Sequence, residues 1–124
     1  MLTSNNAISF VATRNADAAR SFYEGTLGLR LVADEHFALV FEANGRMLRI
    51  AKVETLTVAA HTVLGWEVED IEAKVTELCE RGVVFLRFEH MPQDELGIWT
   101  SPSGARVAWF NDPDGNNLSL TRFP

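Results

Sequence analysis

The sequence predicts an α+β domain built from two βαβββ units, and three observations support this class. First, each half contains one helical segment that runs from a capping side chain to a glycine, from Asn15 to Gly28 and from Asp70 to Gly82. Second, in each half one strand-like run precedes that helix and three follow it. Third, the chain closes on a turn signal between two such runs. The repeat predicts a first unit over 1–57 and a second over 58–124.

The first half begins with AISFVAT (7–13), whose apolar residues on both alternating faces predict a strand covered on both sides. After the helix, LRLVADE, FALVFEA and RMLRIAKV predict three antiparallel strands. Asn44 and Gly45 join the last two, and Asn-Gly is a strong hairpin signal.

The second half repeats this order, with TVLGWEV as the strand before the helix that Asp70 caps. VVFLRFE, GIWTS and RVAWFND predict the next three strands, and SPSG (101–104) predicts a turn. HMPQDELG (90–97) has turn character, which leaves two interpretations open: a mobile lip over a binding site, or a surface loop.

The closing stretch NDPDGNNLSLTRFP (111–124) predicts a type I turn between paired strands 107–111 and 117–122. Asp112 can bond the backbone ahead of it, Pro113 presets one dihedral angle, and Gly115 tolerates a positive one. On the last strand two leucines share one face. The other face is polar and carries Asn117, Ser119 and Thr121.

Composition excludes several classes of partner. The chain has 17 Asp and Glu against 11 Lys and Arg, so no basic surface is expected for nucleic acid. A single cysteine, Cys79, cannot form an internal disulfide. No apolar run approaches the roughly 20 residues that span a bilayer, and the first residues lack the pattern of a secretory signal. We therefore expect a soluble cytoplasmic protein with no membrane partner.

Three features together resemble the vicinal oxygen chelate superfamily: ISFVATRNADAARSFYEGTLGLRLV, the duplicated unit, and WFNDPDGNNLSL. This superfamily includes glyoxalase I, fosfomycin-resistance enzymes, extradiol dioxygenases and bleomycin-resistance proteins. The resemblance implies that each βαβββ unit curls into half of a mixed, largely antiparallel sheet cup, with helices outside and a ligand inside. It also implies a homodimer, because members of this length usually pair two chains.

Metal-dependent members of that superfamily hold a divalent ion with His and Glu side chains from both units. On their pattern Ile8 stands where the first His belongs and Ser119 where the last Glu belongs, while Arg49 lies near the fourth-strand position. His61 alone matches a ligand position, so we expect no metal cofactor. The alternative is a divalent metal in a rearranged site built from His61 with Glu42, Glu95 or His90.

The residues expected to line the cup are apolar for the most part, with a few polar groups among them. The apolar set is Phe10, Met47, Val63, Trp99 and Trp109, and the polar set is Arg49, His61, Asn111, Ser119 and Thr121. Alternation turns Arg49 away from the helix layer, where it would attract a carboxylate or phosphate. The competing interpretation is that it pairs with Glu42 at the surface.

Three functions follow from these residues. The first is a glyoxalase-like or bleomycin-resistance-like protein that binds a small anionic or aromatic molecule without metal, although the acidic net charge also admits a cation. The second is a metal-dependent lyase, isomerase or dioxygenase with a rearranged site. The third is a regulatory or partner-binding domain with no ligand.

Overall fold

The computed structural model describes residues 1–124 and is an α+β structure that divides into two compact units, Met1–Thr57 and Val58–Pro124. Each unit contains one helical segment and one four-stranded mixed sheet. None of the helices has the length and apolar character needed to cross a membrane.

In the first unit a strand and a helix precede a three-stranded antiparallel meander. The elements are β1 (Ser9–Thr13), α1 (Ala16–Arg20) with its π-helical continuation Ser21–Thr26, β2 (Arg30–Asp34), β3 (Ala38–Ala43) and β4 (Arg46–Lys52). The sheet order is β1-β4-β3-β2, with β1 parallel to β4 and the other pairs antiparallel.

Local side chains account for the ends of these elements. Asn15 accepts a hydrogen bond from the backbone N–H of Ala18 and so caps α1, as its sequence position predicts. Asn44 and Gly45 have φ values of 49° and 79°, which is the pair of positive values that a tight hairpin requires. The predicted hairpin between β3 and β4 is therefore confirmed.

The core of the first unit lies between the helical segment and one face of the sheet. Tyr23 is fully buried there, and its ring lies 6.0 Å from that of Phe41. The same face of the sheet is lined by Val11, Leu39, Phe41, Leu48 and Ile50, all buried. Because neighbouring residues alternate between faces, the residues between them, such as Phe10, Val40 and Arg49, project from the opposite face, which we call the open face.

The prediction that the first strand is covered on both sides is wrong within the chain. Phe10 is 62% exposed and Ile8 47% exposed, whereas Val11 is buried. Successive residues of this segment point to opposite faces, as predicted for a strand, but only one of the two faces packs against the helical segment. Apolar residues on both faces indicate that both faces favour burial, but they do not show that another element packs against each face.

The second unit has the same plan. Its elements are β5 (Leu64–Glu67), α2 (Ile71–Glu80), β6 (Trp99–Thr100), β7 (Arg106–Asn111) and β8 (Asn117–Arg122). The sheet order is β5-β8-β7-β6, with β5 parallel to β8 and the remaining pairs antiparallel. Asp70 caps α2 through the N–H of Ala73, and Gly82 follows the helix with a φ of 94°.

The predicted strand in VVFLRFE (83–89) is wrong, and the predicted strand GIWTS is reduced to two residues. From 83 to 89 only one bridge pair forms, between Phe85 and Phe110. Further along, the N–H of Phe88 bonds to the side chain of Gln93, and Arg87 bonds to the carbonyls of Asp94 and Glu95. Gln93 of the next loop therefore takes backbone groups that a strand ladder would use, and Arg87 ties the segment to the same loop.

The terminal turn forms as predicted. The N–H of Gly115 bonds to the carbonyl of Asp112 at 3.0 Å, and Gly115 has a φ of 90°. One carboxylate oxygen of Asp112 accepts the N–H groups of Asp114 and Asn116, each at 2.9 Å. The turn fixes the register of β7 on β8, with Asn111 opposite Asn117.

Candidate functional site

The open face of the second sheet carries the polar side of the terminal strand. Trp109 lies opposite Ser119, and Ser119 lies opposite Gly65. Directly opposed residues share a face, so these three positions form one row across β7, β8 and β5. The flanking rows contain Trp99, Val107, Thr121 and Glu67 on one side, and Asn111 and Asn117 on the other.

The other face of this sheet is closed. Ala108, Phe110, Leu118 and Leu120 are buried there, as are Ile71, Val75 and Leu78 of α2. Trp66 is on this face as well, because its ring stacks on Phe110 with centroids 6.4 Å apart. The leucines of the terminal strand therefore serve the core, which leaves its polar residues for the open face.

Three aromatic rings form a cluster on the open face of the second sheet. The rings of Trp99 and Trp109 lie 6.0 Å apart at 40°, and Phe88 meets Trp109 edge to face at 5.5 Å. We call Phe88, Trp99 and Trp109 the aromatic cluster. Sequence reasoning found the two tryptophans and missed Phe88, because it assigned that residue to a strand that does not form.

Gln93 holds Phe88 in place. Its amide oxygen accepts the N–H of Phe88 at 2.8 Å, and its amide nitrogen donates to the carbonyls of Leu86 and Gly97, each at 2.9 Å. Gln93 also forms a bridge pair with Trp99. The side chain of Gln93 thus ties the segment 90–97 to residues 86 and 88, and its bridge to Trp99 ties the segment to β6, a role that the sequence pattern did not reveal.

Among the polar groups beside the cluster, Ser119 and Asn117 each keep a donor that no acceptor of the chain uses. Ser119 is 6% exposed, yet its hydroxyl takes part in none of the hydrogen bonds of the structure. The hydroxyl of Thr62 donates to the amide oxygen of Asn117 at 2.7 Å, which leaves the amide nitrogen of Asn117 available as a donor. A β-carbon built at Gly65 would lie 2.8 Å from the Ser119 hydroxyl oxygen.

In the first unit Arg49 lies on the open face, opposite Phe10 and Val40. It forms an ion pair with Glu35 at 3.2 Å, so the alternative pairing with Glu42 is wrong. Glu42 instead binds Arg30 at 2.8 Å and accepts the N–H of Gly45. The hydrogen bond from Arg30, assisted by that of Gly45, holds the pKa of Glu42 below its ordinary value of 4.5.

A shallow depression of about 220 Å³ lies at the β3–β4 hairpin end of the first sheet. Its lining combines charged and apolar side chains, namely Arg30, Val32, Val40, Phe41, Glu42, Gly45, Arg46 and Met47. Met47, one of the predicted ligand-contact residues, belongs to it. The depression is open to solvent, and two of its charges already satisfy each other.

The predicted metal positions do not supply a set of donors. Ile8 offers no ligand atom, Ser119 offers a neutral hydroxyl, and Arg49 is a cation. His61 is exposed and lies just before β5. No group of three or more His, Cys, Asp or Glu side chains is placed to hold an ion, so the rearranged site of His61 with Glu42, Glu95 or His90 has no geometric support. These residues do not fit the divalent ion of metal-dependent superfamily members.

Comparison with known proteins identifies the family. The family sequence model of the Glyoxalase/Bleomycin resistance protein/Dioxygenase superfamily matches residues 6–120. Among curated proteins, a sequence search found no match.

Solved structures agree with the family match. A glyoxalase family protein from Enterococcus faecalis is 21% identical with a TM-score of 0.75, over 98% of this chain and 99% of that one. A superfamily member from Sphaerobacter thermophilus DSM 20745 is 22% identical with a TM-score of 0.75, over the same shares of both chains. At such identities the likeness shows the fold and not the ligand. Because the family model spans nearly the whole chain, this protein belongs to the Glyoxalase/Bleomycin resistance protein/Dioxygenase superfamily.

Proposed function

We propose that this protein binds a small aromatic molecule on the open face of its second sheet, without the divalent metal site of its metal-dependent relatives. The observation that carries the proposal is the aromatic cluster of Phe88, Trp99 and Trp109 beside the unused hydroxyl of Ser119. Large flat rings next to a few convergent polar groups are typical of sites for small organic ligands.

The aromatic cluster suits a planar ligand for a physical reason. Ring pairs at 5 to 7 Å contribute roughly 0.5–1.5 kcal/mol beyond the area that they bury. Trp109 is only partly buried between Trp99 and Phe88, so part of its surface remains available to a further ring. The backbone at Phe88 is already held by hydrogen bonds to Gln93, and Trp99 and Trp109 lie on paired strands, so binding would order few additional groups.

The sequence predicts that Arg49 favours an anionic ligand, but the structure leaves the charge of the ligand open. Arg49 belongs to the first unit and is already paired with Glu35, so it gives no reason to prefer an anionic ligand at the second sheet. Among the residues of β5 to β8 on the open face, Glu67 is the one charged side chain. The proposal therefore rests on aromatic contact, and ligand charge is a variable of the experiment.

The test uses three naphthalene probes that differ in charge: 2-naphthoate, 2-acetylnaphthalene and 2-naphthylmethylammonium. The three indole N–H signals of Trp66, Trp99 and Trp109 are followed by ¹⁵N NMR during titration. We expect the Trp99 and Trp109 signals to shift with saturation and the Trp66 signal to stay, because Trp66 stacks on Phe110 on the closed face.

Two matched variants sharpen this experiment. Trp109→Phe should weaken binding about three-fold, because phenylalanine keeps a smaller ring and loses roughly 0.7 kcal/mol, about half of a ring-pair contribution. Trp66→Phe removes the same indole from the closed face and should leave the affinity unchanged. Absence of any shift with all three probes, or equal losses in the two variants, would contradict the proposal.

The metal-free part of the proposal needs its own measurement. Elemental analysis of tag-free protein should find metal well below one ion per chain. Melting temperature should not change with chelator or with added Ni²⁺, Zn²⁺, Mn²⁺ or Fe²⁺, because an ion that binds the native state must raise it. Stoichiometric metal that a His61→Ala variant loses would replace this proposal with a metal-dependent lyase, isomerase or dioxygenase.

A further inference from the structure

Gly65 leaves a gap in the open face of the second sheet at the point where Ser119 lies. Gly65 is opposite Ser119 in the parallel pairing of β5 and β8, and Ser119 is opposite Trp109 on its other side. Any other residue at position 65 would place a β-carbon 2.8 Å from the Ser119 hydroxyl oxygen, closer than real β-carbons approach other atoms. The gap therefore exposes a hydroxyl that is otherwise buried, beside a tryptophan of the aromatic cluster.

The polar groups at this gap present donors. A serine hydroxyl can donate one hydrogen bond, and that of Ser119 has no acceptor within the chain. Asn117 lies two residues earlier on the same face, about 6.6 Å away along the strand. Its amide oxygen already accepts the Thr62 hydroxyl, so its amide NH₂ is the half that is free to bind a ligand. The serine oxygen can also accept a hydrogen bond, but a hydroxyl and an amide NH₂ can both donate only to a ligand atom that carries lone pairs, such as a carbonyl or carboxylate oxygen.

We infer that Gly65, Ser119 and Asn117 form a niche for a carbonyl or carboxylate oxygen attached to the aromatic ligand. The inference rests on the proposed function and adds the class of ligand, which is an aromatic ketone, amide or carboxylate in place of a plain hydrocarbon. The ring packs on Trp109 while its oxygen substituent enters the gap above Gly65 and accepts a hydrogen bond from Ser119. Gly65 acts as a specificity-determining residue because its missing side chain is what admits the substituent.

The test compares two probes of nearly the same shape, 2-acetylnaphthalene and 2-isopropylnaphthalene, of which only the first has a carbonyl oxygen. Affinities are measured by ¹⁵N NMR titration for wild type, Ser119→Ala, Gly65→Ala and the double variant. Wild type should bind the ketone about five-fold more tightly than the hydrocarbon, which corresponds to the net free energy of one hydrogen bond. Ser119→Ala should abolish that preference and leave the affinity for 2-isopropylnaphthalene unchanged.

Gly65→Ala should weaken both probes, because the new methyl group fills the gap and displaces the Ser119 hydroxyl. The double variant lacks the hydroxyl oxygen that clashes with the new methyl group. Its melting temperature should therefore be higher than that of Gly65→Ala. Melting curves show whether each of the four proteins is folded. If Gly65→Ala does not fold, the Ser119→Ala variant alone tests the niche.

The outcomes separate the niche from the aromatic site. If both probes shift the Trp99 and Trp109 signals but Ser119→Ala keeps the five-fold preference, the niche is refuted and the aromatic site stands. If wild type binds both probes equally, the niche is again refuted. If neither probe shifts these signals, the aromatic site fails and the niche fails with it.

Discussion

Removal of the Asp112 carboxylate should destabilise the second unit strongly. This side chain is 6% exposed and accepts three hydrogen bonds, from the backbone N–H groups of Asp114 and Asn116 and from the amide nitrogen of Asn116. Hydrogen bonds to a charged group contribute about 1.5–3 kcal/mol each in net terms, and bonds that share one carboxylate are not additive. We therefore expect Asp112→Ala to lower the free energy of unfolding by about 3 kcal/mol.

That loss converts into a large change in melting temperature. Unfolding entropy near 2.1 cal/mol/K per residue gives about 0.26 kcal/mol/K for 124 residues. Asp112→Ala should therefore melt about 12 °C below wild type by circular dichroism. Asp112→Asn keeps one oxygen for the two backbone groups but turns an amide NH₂ toward the Asn116 amide nitrogen, so it should lose about half as much.

The control is Glu54→Gln, which removes one negative charge from an exposed residue that forms no side-chain hydrogen bond. It should melt within about 2 °C of wild type. Urea unfolding of each variant gives the free energy independently, and an unchanged m-value shows that the same surface is exposed. An Asp112→Ala protein that melts with the control would refute the claim that this carboxylate fixes the turn.

Three further outcomes follow from the structure. Gln93→Ala should lower the melting temperature by about 8 °C and weaken naphthalene binding, because Phe88 loses its tether and the part-buried carbonyls of Leu86 and Gly97 lose their donor; unchanged affinity would contradict the positioning role. The pKa of Glu42 is lowered in the fold, so its stabilisation is present above pH 4.5 and is lost as pH falls through the folded value; Arg30→Gln should therefore lose less stability than wild type between pH 7 and pH 3, measured as urea midpoints. We expect a homodimer that covers the exposed Phe10, so sedimentation should show a dimer for wild type and a shift toward monomer for Phe10→Asp. A monomeric wild type would contradict this prediction.

Sequence reasoning succeeded where a few neighbouring residues decide the structure. Asn15 and Asp70 cap helices, and Asn44 with Gly45 forms a hairpin, through contacts that span no more than a few positions. The terminal turn is of the same kind, since Asp112 binds groups within four residues of itself. In these cases the information needed is contained in the segment itself.

Reasoning from pattern failed where distant or tertiary partners decide. The segment 83–89 has the composition of a strand, but Arg87 and Gln93 direct its backbone and side-chain bonds into a loop. Phe88 reaches the candidate site only through that loop. Phe10 shows the second limit, because an apolar alternation indicates which faces favour burial and cannot state what lies against them.

The residue at position 119 decides which chemistry the open face can perform. A glutamate there, as the resemblance to metal-dependent relatives requires, would bring a negative charge that needs a cation for compensation. Ser119 brings a neutral hydroxyl, and the opposing Gly65 removes the one side chain that would cover it. The same strand position thus changes from attracting a metal ion to donating a hydrogen bond. Under the proposed function, this donor and its neighbour Trp109 on β7 would together distinguish aromatic molecules by their oxygen substituents.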